Sequence, residues 1–328
     1  YFAKGAVKLL SDLNICDYLI FGSETDDIEL LTDIAILSVE YEKEMYEYIA
    51  EYMSDGNSYP KALSLAIDDI IMTASKEEMS EYRALLLYTR EEIADILASP
   101  NSTLAICYIK SILSLNSGIT PVAVKRIVSD YHDLSLGAYS SSAIRKELNE
   151  ENYAPLKDQL SEDILRLTLD SLNVTCPVNA DDYSDILLYK LRSLIFGNGN
   201  QLKSKAVLTL TSYLDVSEAL AGRIINNIND YKSFSQFVAL IKTKSVTYSH
   251  ISRALMHIIF DIKKSNASKY INNDYALFAR ILGFKKESSA LLRELKDFSQ
   301  IPVISKLADA EDVIENEITL KHLHETVS

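Results

Sequence analysis

The stretch CDYLIFGSE, residues 16–24, places a short apolar run directly before Gly22. Such a run, ended by a glycine, is typical of a buried strand in an α/β sheet. Apolar residues at helical spacing precede it in residues 2–13 and follow it in residues 28–54. Gly22 would either let a ligand approach the backbone at the end of the strand or form an ordinary turn. The pattern leaves both interpretations open.

Another helix is predicted in SPNSTLAICYIKSILSL, residues 99–115. Its apolar stripe favours a start at Asn101 or Ser102, with Asn101 as a helix cap. The side-chain amide of a capping Asn101 could also contact a ligand. The sequence alone favours the plain cap.

The next stretch, ITPVAVKRIVSDYHD, is rich in β-branched residues and predicts a strand over residues 122–128. This strand would carry Lys125 and Arg126 to one end of the sheet. Alternating helices and strands indicate a parallel sheet, in which ligands bind at the carboxyl ends of strands and the amino ends of helices. Gly22, Asn101 and Arg126 all occupy such ends in this prediction.

Residues 140–148, SSSAIRKEL, break a local rule of helix starts. Counting from Ser142 as the N-cap puts Arg145 at the third helical position, where a capping box has Glu or Gln. A cation there also opposes the positive end of the helix dipole. The segment therefore predicts either tertiary compensation or a bound anion held by hydroxyls, N–H groups and cations.

The composition limits the classes of protein to which the chain could belong. The chain has 328 residues, of which 48% are hydrophobic and 24% charged, with 9 Gly and 6 Pro, which fits mostly helical packed domains. Without an apolar run of membrane-spanning length or a signal-peptide core, we expect a cytoplasmic protein with no membrane partner. Cys16, Cys107 and Cys176 are widely spaced in apolar surroundings, which argues against a disulfide framework or a zinc site.

The formal net charge of −14 argues at first against a nucleic-acid partner. The charge is segregated, however. Residues 1–55 contain 3 Lys and 13 acids, a net of −10, whereas residues 242–264 contain 5 cations and 1 acid, a net of +4. The basic segment is either a solvated helix end or a contact for nucleic acid.

Eight stretches resemble, in order and spacing, the bacterial tRNA(Met) cytidine acetate ligases, relatives of the HxGH nucleotidyltransferases. They are FAKGAVKLL, YLIFGSE, SYPKALSLA, SPNSTLAICYIKSI, VKRIVSDYHD, SSSAIRKEL, KTKSVTYSHISRALMHII and ARILGF. The resemblance covers residues 1 to about 308. It implies an α/β fold, with an incomplete Rossmann-like nucleotidyltransferase domain that binds ATP over residues 1–150. A mostly helical tRNA-binding domain with a small C-terminal unit would occupy residues 151–328.

The resemblance also implies an activity. Such a ligase activates acetate with ATP as acetyl-adenylate and transfers the acetyl group to the wobble cytidine of elongator tRNA(Met). We therefore expect ATP with Mg²⁺ as cofactors, and acetate and tRNA, not DNA, as partners. The stretches imply no metal-ligating residues. The residues implied for nucleotide binding are Gly22, Asn101, Arg126, Ser140, Ser142 and Arg145, with Arg126 and Arg145 as the catalytic cations, and those implied for RNA binding are Lys242, Lys244 and Arg253.

The chain departs from the family in two places. It has 5 histidines but no H-x-G-H motif, and it begins with Tyr1, which suggests a start partway through the first domain. We therefore expect catalysis to need an amino-terminal segment that carries the motif. In the basic segment, Ser245 and His250 stand where the family has arginines, which predicts weaker and less salt-sensitive RNA binding.

Two other functions are compatible with these patterns. The missing histidine motif together with the basic segment favours a non-catalytic RNA-binding module derived from this fold. A nucleotidyltransferase acting on a small phosphorylated alcohol is a further alternative, but it gives the helical domain no evident task.

Overall fold

The computed structural model describes residues 2–57, 59–126, 141–172, 174, 178–197, 203–243 and 246–305. The chain forms two compact units, one of residues 1–125 with 268–328 and the other of residues 126–267. The predicted functional domains, 1–150 and 151–328, remain a prediction, because this division concerns packing rather than function. In packing, residues 268–328 group with the first unit.

The first part of the chain contains two strands, which are separated in sequence by six helices. The elements are α1 (Phe2–Leu13), β1 (Tyr18–Ser23), α2 (Ile28–Glu40), α3 (Glu42–Ser54), α4 (Tyr59–Thr73), α5 (Lys76–Met79), α6 (Arg90–Ala98), α7 (Pro100–Ser114) and β2 (Thr120–Lys125), with a 3-10 turn at Leu85–Leu87. Several helices begin at the caps that their sequences favour. Asp27 accepts a hydrogen bond from the N–H of Leu30 at 2.9 Å, and Thr89 and Glu92 form a capping box at the start of α6.

The two strands pair in parallel, with Tyr18 opposite Thr120 and Ser23 opposite Lys125. The predicted parallel sheet is thus confirmed. Strand β2 ends at Lys125, earlier than the predicted residue 128, and residues 127–140 lie outside the described part of the chain.

One face of β1 builds the core of the first unit. Phe21 is buried and stacks on Tyr108 of α7, with ring centroids 5.7 Å apart. Ile34 of α2 and Ile109 of α7 belong to the same buried cluster. Burial of this face holds the strand against α2 and α7 and therefore fixes where its last residues lie.

The second unit is helical in its described residues. Its elements are α8 (Ser141–Asn149), α9 (Glu162–Ser171), α10 (Ser184–Phe196), α11 (Lys203–Thr211), α12 (Glu218–Asn227), α13 (Phe234–Ile241), α14 (Tyr248–Ile259) and the first half of α15 (Lys264–Ile271), with 3-10 turns at Ala154–Asp158, Ala180–Tyr183 and Ile228–Asp230. Leu191, Phe234, Phe237 and Leu255 are among the side chains of its core. The predicted α/β class with a mostly helical second part is confirmed.

The C-terminal segment contains β3 (Ala279–Arg280), a 3-10 turn at Lys286–Ser288, α16 (Ser289–Phe298) and β4 (Val303–Ile304). The two short strands pair in parallel. The segment contacts α1, since the N–H of Gln300 donates to the Asp12 carbonyl at 2.7 Å and Lys4 pairs with Asp274 at 2.7 Å. These contacts explain why the segment groups with the first unit.

Within the described ranges, no single helix is both long and apolar enough to cross a membrane. Helices α6 and α7 taken together are long and apolar enough to cross a membrane, but the pair is bent by 91° at the break between them.

Candidate functional site

The carboxyl ends of β1 and β2 lie side by side. Gly22 is opposite Val124 and Ser23 is opposite Lys125, and Arg126 follows directly after the strand. Side chains alternate along β1, so Ser23 is buried whereas Gly22 is on the exposed face. This is the sheet edge where the sequence predicts a ligand.

Glu24, the residue after β1, reaches the amino end of α7. Its Oε1 accepts from Asn101 Nδ2 at 2.7 Å, and its Oε2 accepts from the backbone N–H of Ser102 at 2.8 Å and from Ser102 Oγ at 2.9 Å. The hydroxyl of Ser99, the N-cap of α7, donates instead to the Asp95 carbonyl at 3.0 Å. Glu24 therefore serves as the cap of α7, supplied by a distant part of the chain.

The hydroxyls of Ser23 and Ser102, both fully buried, lie 3.0 Å apart. Because an ionised carboxylate only accepts hydrogen bonds, Ser102 must donate its single proton to Glu24. Ser23 then donates to Ser102. This direction gives a chain of hydrogen bonds from the end of β1, through α7, to the Glu24 carboxylate.

The electrostatics of Glu24 follow from these contacts. Partial burial alone would raise the pKa of Glu24, but the hydrogen bonds from Asn101 and Ser102 outweigh it and hold the pKa below its ordinary value. The carboxylate is thus charged at neutral pH. It places a negative charge at the amino end of α7.

The structure brings Gly22 and Asn101 to one edge, because Asn101 binds Glu24, two residues beyond Gly22. Asn101 is not the cap that the sequence favours. Helix α7 begins at Pro100, after Ser99, so Asn101 is its second residue. The reason is that proline is well suited to the first helical position, which moves the cap from Asn101 to Ser99, two residues earlier.

The serine-rich helix also starts earlier than its sequence suggests. Helix α8 begins at Ser141, so Arg145 is its fifth residue rather than its third. Consecutive serines are all competent caps, so the sequence could not select among them. Ser140 and the side chain of Ser142 lie outside the described residues, while Arg126 and Arg145 are exposed members of the second unit.

Of the residues implied for RNA binding, Lys242 is exposed at the end of α13 and Lys244 lies outside the described residues. Arg253 on α14 donates from Nε to Asp215 Oδ2 at 2.6 Å, yet its side chain is 55% exposed. The pair uses one of the five N–H donors of the guanidinium. Arg253 can therefore be held by Asp215 and still present its terminal nitrogens to solvent.

Two histidines of α14 meet the same loop. His250 Nε2 lies 3.1 Å from the Asp215 carbonyl, and His257 Nδ1 lies 3.2 Å from the Leu214 carbonyl. A carbonyl accepts, so each of these nitrogens carries the proton. His250 thus anchors the loop that carries the carboxylate partner of Arg253.

Ser23, Glu24 and Ser102 belong to the site but were not predicted from the sequence. A signal for Glu24 exists, since an acid directly after a parallel strand is placed to meet the amino end of a neighbouring helix. The two buried serines carry no comparable signal, because their roles depend on a contact between distant segments.

Comparisons with known proteins identify the family of this chain. A family model described as HIGH Nucleotidyl Transferase matches residues 1–327. The tRNA(Met) cytidine acetate ligase of Thermoanaerobacter sp. is 31% identical over 320 residues, covering 96% of this chain and 71% of that protein. The enzyme of the same name from Clostridium kluyveri is 32% identical over 321 residues, covering 96% and 72%.

Solved structures show the same fold. The apo crystal structure of Thermotoga maritima TmcAL has a TM-score of 0.77 and 25% identity, and covers 98% of this chain and 73% of that one. A second crystal structure of that protein, bound with alpha-thio ATP, has a TM-score of 0.75 and 24% identity, and covers 97% and 71%.

We expect Glu24→Gln to lower the free energy of unfolding at pH 7 by roughly 1 kcal/mol, the value of a lost charge-assisted cap. Because folding depresses the pKa of Glu24, its contribution is full above the ordinary value of 4.5 and is lost as pH falls through the lower folded value. The stability gap between the unmodified chain and the variant should therefore narrow in acid. Urea unfolding at several pH values measures it.

Glu47→Gln, at an exposed position in the middle of α3, is the control for removing one acid. A pH profile for Glu24→Gln that coincides with the Glu47→Gln profile would show that the cap contributes nothing.

Proposed function

Because this chain belongs to the HIGH nucleotidyl transferase family, and within it to the tRNA(Met) cytidine acetate ligases, we propose that it acts in ATP-dependent acetylation of the wobble cytidine of elongator tRNA(Met). The observation that carries this proposal is the 31% identity with a named ligase over 96% of the chain. The edge formed by Gly22, Glu24 and Asn101 supports it, since such edges bind nucleotides in parallel sheets.

The proposed chemistry has two steps. An acetate oxygen attacks the α-phosphorus of ATP, which forms the mixed anhydride acetyl-adenylate and releases pyrophosphate. The exocyclic amine of the cytidine then attacks the acetyl carbonyl, loses a proton and displaces AMP. Negative charge grows on phosphate oxygens in the first step, so the fixed cations of Arg126 and Arg145 are the residues proposed to stabilise it.

The described residues do not fit a protein-built Mg²⁺ site. They contain no group of three or more His, Cys, Asp or Glu side chains arranged to hold a metal ion. Glu24, the carboxylate at the candidate site, already accepts three hydrogen bonds from Asn101 and Ser102. No step of the proposed chemistry is therefore assigned to a metal held by these side chains.

For the tRNA we propose contacts from Lys242, Lys244 and Arg253 to phosphates. Phosphate contacts by lysine and arginine supply most of the affinity in RNA binding, and they make it depend on salt. The acidic remainder of the chain would restrict the tRNA to this basic segment.

The ligase reaction is tested with labelled acetate, ATP and elongator tRNA(Met). We compare the 328-residue chain with a version extended at its amino terminus by a relative's segment that contains H-x-G-H. The expected result is ATP-dependent label in the wobble cytidine with the extended version, because that motif supplies contacts along the phosphate path.

Arg145→Met in the extended version is expected to lower the rate by about 100-fold, as for the loss of one charge-stabilising group. Binding of tRNA(Met) without acetylation by either version would contradict the ligase and favour the RNA-binding module.

We expect Arg253→Met to weaken tRNA(Met) binding and to reduce the slope of log affinity against log salt by about one unit. The methionine keeps the apolar stem but removes the phosphate contact. The measurement is tRNA binding at four or more salt concentrations.

Arg166→Met is the matched control, because Arg166 is also an exposed arginine of the second unit that pairs with an aspartate, Asp163, at 3.4 Å. Equal salt slopes for the two variants would contradict a specific role for Arg253.

A further inference from the structure

Arg223, on α12, is a half-buried arginine that forms no ion pair with any described residue. Its Nε is fully buried and has no hydrogen-bond acceptor in the described part of the chain. By contrast, Arg166 and Arg253 of the same unit are each paired with an aspartate. A guanidinium is always charged, and a buried donor without an acceptor is unfavourable. Arg223 therefore indicates a place where an anion binds.

The sequence around Arg223 explains why it lacks an internal partner. An acid three or four residues away on the helix could pair with it, but those positions hold Ala219, Leu220, Asn226 and Asn227. Asn226 Oδ1 accepts from Lys203 Nζ at 2.7 Å, and Asn227 Nδ2 donates to the Arg223 carbonyl at 2.7 Å. Neither amide carries a charge that would neutralise the guanidinium.

A second cation lies on the same side of α12. Asn226 is one turn beyond Arg223, and residues three apart are neighbours on the surface of a helix. Because Lys203 binds Asn226, the exposed start of α11 brings a lysine close to Arg223. Neither cation forms an ion pair with a described residue, so positive charge accumulates at this point.

The stretch of sequence before α12 is basic, although the formal net charge of the chain is −14. Residues 186–214 contain no Asp or Glu and four cations, Lys190, Arg192, Lys203 and Lys205. Lys190 pairs with Asp261 at 3.4 Å, and the other three cations are exposed. An acid-free stretch in an acidic chain is typical of a surface that meets a polyanion.

We propose that Arg223 is a further RNA-contacting residue, and that Arg223 and Lys203 together bind a phosphate of the tRNA. The phosphate oxygens accept from the guanidinium and supply the negative charge that the fold does not. Lys203 is exposed, so a phosphate on a large molecule can reach the site. This inference rests on the proposed tRNA binding and extends it to helices α11 and α12 of the same unit.

The site at Arg223 is distinct from the proposed contact of Arg253. Asp215, which holds Arg253, precedes Ser217, the N-cap of α12. Arg223 lies six residues after that cap, about 9 Å further along the helix axis. We expect the two arginines to meet different phosphates, so their effects on tRNA binding should add.

The test is equilibrium binding of elongator tRNA(Met) to the 328-residue chain at four or more salt concentrations. Arg223→Met is expected to weaken binding about tenfold at low salt, the effect of one charge-assisted hydrogen bond, and to reduce the slope of log affinity against log salt by about one unit. Lys203→Met should act in the same direction. Arg223→Lys keeps the charge and should keep the slope, and Arg166→Met, the control, should change neither quantity.

The thermal midpoint of unfolding separates RNA contact from a structural role. Methionine keeps the apolar stem and removes the buried Nε–H, so the midpoint of Arg223→Met should equal or exceed that of the unmodified chain. If the midpoint falls instead, the exposed Lys203→Met decides. An unchanged salt slope in that variant overturns the site, and a reduced slope supports it.

The remaining outcomes separate this inference from the proposed function. Equal affinities and slopes for Arg223→Met and Arg166→Met overturn the inference, while a reduced slope in Arg253→Met leaves the proposed tRNA binding in place. Failure of the unmodified chain to bind the tRNA overturns both. A rise of the thermal midpoint in inorganic phosphate, with tRNA binding unaffected by Arg223→Met, would identify a site for small anions and overturn the RNA contact.

Discussion

The candidate site depends on one charged interaction, the Glu24 carboxylate at the amino end of α7. It joins Glu24, the residue directly after β1, to Asn101 at the start of α7, 77 residues further along the chain. The carboxylate satisfies a backbone N–H that would otherwise lack a helical partner, and it orders the hydroxyls of Ser23 and Ser102 into one chain of hydrogen bonds. The relative position of Gly22 and Asn101 follows from this contact.

The strand and helix that carry the site could be predicted from local patterns. The apolar run before Gly22 predicts β1, and the apolar stripe predicts α7, because burial and periodicity act over a few residues. Glu24 was missed because its partners are remote in sequence, and no local rule links them. The exact helix starts were also missed, since Ser99 and Asn101 are both good caps and only the fold decides between them.

The net negative charge of the chain is compatible with the proposed RNA binding, because the charges are unevenly distributed along the sequence. The first 55 residues carry a net of −10 and contribute helices to the first unit, whereas the basic segment lies at α13 and α14 of the second. There Asp215 holds Arg253, and His250 holds the backbone of Asp215. An arginine fixed in this way would lose less freedom on contact with a phosphate, which fits the RNA contact proposed for Arg253.

The most direct test of this account is a crystal structure of the chain with ATP. We expect the nucleotide to lie at the edge formed by Gly22 and Asn101, with the bonds of Glu24 to Asn101 and Ser102 retained. A phosphate oxygen on the Ser102 N–H, with Glu24 displaced, would contradict it.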